Sequence, residues 1–190
     1  MLTLDLNKES GIALDLVKES PGLKNVRVLL NWDEHPVHAA SNTEGFDLDL
    51  WAFALDANGK VTSGEQICYF NNKNVYNGAI VLPRDNRTGS GSDDEEILVS
   101  LDKIPSNIET VAIYAFVFDA AKRQQHFGMI ANARVDVINN DTSDVIARYN
   151  ITQDYNGQVA ICVGNIERTT FTPDGSAGNL DPNAVLAHYS

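Results

Sequence analysis

Phe46-Asp47-Leu48-Asp49-Leu50-Trp51 alternates apolar and acidic residues with a period of two. A strand sends successive side chains to opposite faces, so Phe46, Leu48 and Leu50 share a core-facing side. Asp47 and Asp49 then share the other side, about 7 Å apart along the strand. The same period recurs at Leu2, Leu4 and Leu6, at Ile12, Leu14 and Leu16, and at Val26, Val28 and Leu30 beyond a Pro21-Gly22 turn. Further strands are expected over Phe46 to Leu55, Ile67 to Phe70, Ala79 to Leu82, Ile97 to Leu101 and Val111 to Asp119. The second half adds Ala133 to Ile138, Val145 to Ile151, Val159 to Gly164 and Thr169 to Thr172. Asp56-Ala-Asn-Gly59, Asn139-Asn-Asp141 and Asp154-Tyr-Asn-Gly157 supply turn chemistry between them. Many short strands without a long helical period predict an all-β fold, a two-sheet antiparallel β-sandwich with minor short helices. The helix candidates are Leu101 to Ile104, stopped by Pro105, and Pro182 to His188 after Asp181.

The 190 residues fit one domain spanning 1–190, with enough apolar content, 43%, to fill a core. A formal net charge of -12 repels phosphate backbones, so nucleic acid is excluded as a natural partner. No apolar run approaches the roughly 18–20 residues that cross a bilayer, and Met1 to Lys8 has none of the parts of an export signal. A cytoplasmic protein with no transmembrane segment of its own is the expectation. The two cysteines, Cys68 and Cys162, fall within apolar strand-like segments and read as buried free thiols, which leaves no evident site for a thiophilic ligand.

Pro83-Arg-Asp-Asn-Arg-Thr-Gly-Ser-Gly-Ser-Asp-Asp-Glu-Glu96 stands apart from the strand pattern. Calcium takes about six to eight oxygens at roughly 2.3–2.6 Å from carboxylates, amide oxygens and backbone carbonyls. Asp85 and Asn86 would open such a site, Gly89 and Gly91 would turn carbonyls inward, and Asp93 to Glu96 would close it. By itself the segment reads equally well as a solvated acidic linker. Asp47 and Asp49 shift the balance, because two anions in register on a strand repel and Asp is disfavoured in strands. A solvent-screened strand face is the competing account. The spacing does not match an EF-hand loop, and Asp56-Ala-Asn-Gly59 reads as a hairpin turn.

Phe46-Asp-Leu-Asp49 and the glycine-bearing acidic run Asp85 to Glu96 together resemble the signatures of the bacterial TerD-type tellurium-resistance and stress proteins. The resemblance extends to Pro21-Gly-Leu23, Asn31-Trp-Asp33, Phe70-Asn-Asn72, Gln125-His-Phe-Gly128 and Ala147-Arg-Tyr149. It implies a β-sandwich binding more than one calcium ion between acidic loops; the residues themselves show no catalytic centre, and no enzymatic activity is expected. It also implies work in assemblies with other Ter proteins, including a membrane-bound partner. Position by position, it implies side-chain ligands at Asp47, Asp49, Asp85, Asn86, Asp94 and Glu95, and carbonyl ligands at Gly89 and Gly91. Asn71, Asp33 and Asp119 stand at polar positions beside strands, where completing an ion's shell and serving in turns or caps are both open readings. Arg87, Asp93, Glu95 and His126 depart from the pattern, as does a shortened final strand at Glu167 to Phe171.

Other chemistries fare worse. A glycosidase pair needs one carboxylate of raised pKa in an apolar cleft, whereas these acids crowd a Gly/Ser segment. His35 and His38 have a zinc-like spacing without a third ligand nearby. A calcium-dependent adaptor for anionic lipid, with Arg84 and Arg87 at a loop tip, is the alternative of a different class.

Overall fold

The alternation at Val26, Val28 and Leu30 lies in β3 (Asn25–Glu34), in the middle of the first of two sheets. The computed structural model describes residues 2–6, 8–34, 45–84, 95–151 and 155–190. The first sheet runs β1 (Leu2–Asp5), β11 (Val145–Asn150), β10 (Ile130–Asn139), β3, β8 (Glu95–Ser100), β7 (Ile80–Val81) and β6 (Asn74–Val75). The second runs β2 (Leu14–Asp15), β13 (Thr170–Pro173), β12 (Ala160–Glu167), β9 (Ile108–Val117), β4 (Leu48–Asp56) and β5 (Ile67–Cys68), with β14 (Ala177–Gly178) beside β12. Among the described residues, the pairings are antiparallel except at one edge, where β1 runs parallel to β11 with Leu2 opposite Ala147. Its partner lies far away in sequence, so no hairpin forces the two strands to alternate in direction.

The two inner faces meet in one apolar cluster. Val26, Val28, Leu30, Ile97, Val99, Val135 and Val137 of the first sheet pack with Leu48, Leu50, Ile113, Ala115, Ile161 and Val163 of the second. The core alternation expected for Phe46, Leu48 and Leu50 is realised here. The second sheet is covered on its outer face as well. A C-terminal helix, Pro182–Tyr189, opens with the Asp181 carboxylate accepting from Ala184 N at 2.8 Å and with Pro182 in its first turn. Its Val185 joins Phe53, Phe116, Val61 and Ile67, with Leu186 and Tyr189 packed beside them. Tyr189 is pinned through its hydroxyl to Tyr114 at 3.0 Å and through its carbonyl to Val61 N at 2.7 Å.

Helices remain minor, as expected. Leu101–Lys103 forms a single 3-10 turn. Among the described residues, two four-residue helices were not foreseen: α1 (Leu16–Glu19), capped by Asp15, and α2 (Ala120–Arg123). The C-terminal helix is therefore α3. α2 is bounded by Asp119 and Gln124, both left-handed at φ 52° and 53°, positions where a glycine would normally advertise the boundary. Asp56-Ala-Asn-Gly59 is a turn: Asp56 Oδ1 accepts from Asn58 N at 2.8 Å and Lys60 N at 3.0 Å, and Gly59 takes φ 71°.

Gly164 sits where β12 shifts register against β9, and there the backbone of β13 passes close. A β-carbon at Gly164 would stand 2.6 Å from Thr172 O and 2.8 Å from the Phe171 ring. Gly164→Ala is expected to cost about 1–3 kcal/mol of stability through overpacking, read by urea denaturation. An unchanged midpoint would show that the strands separate freely there.

Candidate functional site

β4 pairs along its whole length with β9, but β5 reaches it only at Ala52 and Phe53. Among the described residues, its first half is thus an open edge. β8 is similar: β3 accompanies it from Glu95 to Ser100, whereas β7 meets it only at Leu98 and Val99. The two half-open edges face each other across the sandwich, where β4 and β8 come into contact. The Trp32 indole nitrogen, two residues beyond Leu30, the β3 partner of Glu95, donates to Phe46 O at 3.3 Å. That bond ties the Glu95 end of the first sheet to the start of β4. Residues 35–44 and 85–94 lead into this corner by chain connectivity.

Both carboxylates of the 46–51 stretch are buried, Asp47 at 4% and Asp49 at 5% exposure. The account of a solvent-screened strand face therefore fails: the outer side of β4 is covered. Asp49 lies directly opposite Phe116 of β9, and Asp47 O accepts from Phe118 N at 2.9 Å. Glu95, read from sequence as the tail of the acidic segment, is instead the first residue of β8, and its side chain shares the inward face with Ile97 and Val99 at 1% exposure. Asp47 and Asp49 thus approach the corner from the outer layer and Glu95 from the inner one. Among the described residues, no three His, Cys, Asp or Glu side chains lie close enough together to hold a metal ion.

A cation already serves Asp47. The Arg123 guanidinium, from α2, lies 3.7 Å from Asp47 Oδ2 and 5.0 Å above the Phe118 ring. Gln125, just beyond the helix, donates through Nε2 to Gly45 O at 2.9 Å and so holds the entry to β4. Neither role was foreseen; the Gln125-His-Phe-Gly128 resemblance marked the segment without assigning it a function. Of the three open positions, Asp33 is exposed on β3 and accepts from Asn132 Nδ2 at 3.0 Å. Asp119 precedes α2, with Lys122 Nζ at 3.5 Å from its carboxylate. Asn71 is exposed at the tip of the turn closed by reciprocal Tyr69 and Asn72 backbone bonds of 3.1 and 2.9 Å. Asp85, Asn86, Gly89, Gly91 and Asp94 lie outside the described residues, as do Arg87, His35 and His38.

Chemically, the corner offers buried oxygen anions and no sulfur or imidazole among its described side chains, the donor type that suits a hard cation. A two-sheet β-sandwich with buried acids at one open corner is the class of protein these features define. The TerD domain model matches residues 2–172, and the chain belongs to the TerD family. General stress protein 16U of Bacillus subtilis (strain 168) is 36% identical over 168 residues, covering 88% of this chain and 84% of that protein. Tellurium resistance protein TerD of Serratia marcescens is 35% identical over 170 residues, covering 88% and 84%. Among solved structures, SAV2460, a protein of unknown function, superposes with a TM-score of 0.70 at 21% identity over 87% of this chain and 95% of that one, a likeness of fold. No helix among the described residues is long and apolar enough to cross a membrane.

Cys68 and Cys162 are both free and buried, and burial pushes each thiol up to about 12. At pH 8 the thiolate, the nucleophilic form, is scarce in both. Disulfide exchange with Ellman's reagent at pH 8 is expected to be slow for native protein and to release two thiols promptly in denaturant. A fast thiol in the native state would contradict this burial.

Proposed function

We propose that this chain is a calcium-binding stress-response protein that acts without catalysis, as a sensor or scaffold in an assembly with other Ter proteins, one of them membrane-bound. The observation that carries the reading is the burial of Asp47, Asp49 and Glu95 at the corner into which the acidic 85–94 segment leads. Removing carboxylate charge from water is costly unless opposite charge accompanies it. The Arg123 guanidinium lies 3.7 Å from Asp47 Oδ2, and a hard dication would bind Asp49 and Glu95 together with the carboxylates of that segment. The residues that would hold the ions are Asp47, Asp49, Asn71, Asp85, Asn86, Asp94 and Glu95, with carbonyls of Gly89 and Gly91. Calcium bound there would bring the two sheet edges and the acidic segment under one electrostatic constraint. The assembly reading is supported by relatives from one organism that bear Ter names, TerX at 30% and TerZ at 28% identity, both of Serratia marcescens. A cytoplasmic setting belongs to the same proposal.

An ion bound only by the folded state stabilises it by about 2.7 kcal/mol at a hundredfold excess over its Kd. For a chain of this size, the midpoint of thermal unfolding should rise by roughly 5–10 °C. Calorimetric titration of chelator-stripped protein should show calcium binding in preference to magnesium. Asp47→Asn with Asp49→Asn should remove most of the thermal increment. An increment that survives the double substitution overturns the ligand assignment, and no calcium heat at all overturns the function.

A further inference from the structure

Two arginine–aspartate pairs of the molecule hold an almost wholly buried carboxylate, and they are built differently. Arg148 grips Asp136 with two hydrogen bonds of 2.6 Å, one from Nε and one from a terminal nitrogen. This is the bidentate form in which a guanidinium and a carboxylate are fully committed to each other. Arg123 stands off from Asp47. Its terminal nitrogen is 3.7 Å from Oδ2, beyond hydrogen-bond reach, and its guanidinium lies 5.0 Å from the centre of the Phe118 ring. Exposure does not explain the difference, since Asp47 is 4% and Asp136 3% exposed.

The backbone fixes where Arg123 can reach. Phe118 N donates to Asp47 O at 2.9 Å just before α2, and Gln125 Nε2 donates to Gly45 O at 2.9 Å just after it. The short helix is thus tied at both ends to the stretch 45–47, and Arg123 leaves from its last turn. A cation held this way beside Asp47 has two effects of opposite sign. It offsets the desolvation of a buried carboxylate while no metal ion is there, and it repels any dication that comes to the same carboxylate. A pair bonded at 2.6 Å would first have to be broken. A guanidinium standing off at 3.7 Å, with an aromatic face as its second host, can give up the carboxylate and keep the ring.

We propose that Arg123 is a resident counter-cation of the acidic corner: it holds Asp47 in the ion-free protein, competes with calcium for that carboxylate, and so sets the affinity below what the acids alone would give. The inference rests on the calcium reading of the corner, and Arg123 is in it a positioning residue, not an ion ligand. The test is Arg123→Met, which removes the charge and keeps much of the side-chain bulk, beside Arg123→Lys, which keeps the charge. In chelator, the thermal midpoint of Arg123→Met is expected to fall by roughly 2–4 °C. Calorimetric titration of the full chain is expected to show the same variant binding calcium about tenfold tighter than the unaltered protein, and Arg123→Lys within about threefold of it. An arginine with only a structural role would lower stability without tightening calcium, so the opposite signs are the signature. Most of the fall in chelator should vanish in an Asp47→Asn background, the non-additivity of two groups in contact. Calcium affinity in Arg123→Met that is unchanged or weaker overturns the proposal, and so does a fall of the same size in the Asp47→Asn background. Failure of the unaltered protein to bind calcium removes the underlying reading together with this inference, whereas normal binding with no gain in Arg123→Met removes this inference alone.

Discussion

Charge held out of water at one corner constrains the rest of this sandwich. Carboxylates at Asp47, Asp49 and Glu95 lie almost wholly buried, so whatever surrounds them must return the solvation they lose. The surroundings come from distant parts of the chain. Arg123 arrives from α2, Gln125 fastens Gly45 just ahead of the acidic strand, and Trp32 reaches from the opposite sheet to Phe46. Each of these contacts fixes the start of β4, and none involves its hydrogen-bonded neighbours in the sheet. They act where the sheet is weakest, because β5 and β7 stop short and leave the first halves of β4 and β8 open among the described residues.

The second sheet is covered on both faces. An antiparallel sheet usually keeps one side wet, and the alternating pattern of β4 would suit such an arrangement. Instead, Trp51, Phe53, Tyr114 and Phe116 line its outer side, and α3 is laid across part of them. The tyrosine pair between β9 and the helix satisfies two hydroxyls that this apolar cover would otherwise strand. Asp49 stands at the border between this aromatic layer and the open edge, opposite Phe116. Pro182, at the start of α3, lines the same small cavity as Asp49, so the C-terminal part of the chain comes close to this carboxylate.

This explains which features were legible in the sequence. The alternation at Val26 to Leu30 and at Phe46 to Leu50 reports a local property, backbone pleat, and it places those residues correctly on the inner face. That Asp47 and Asp49 share a face is equally local, but Arg123 beside Asp47 and Phe116 opposite Asp49 come from more than sixty residues away, and no pattern within the strand encodes them. Glu95 shows the limit of compositional reading: four acids in a row look like one loop, yet the strand period starts within them, at the residue in register with Ile97 and Val99. The parallel pairing of β1 with β11 and the glycine-free boundaries of α2 left no signal, since one needs tertiary contact and the other hides behind left-handed Asp119 and Gln124.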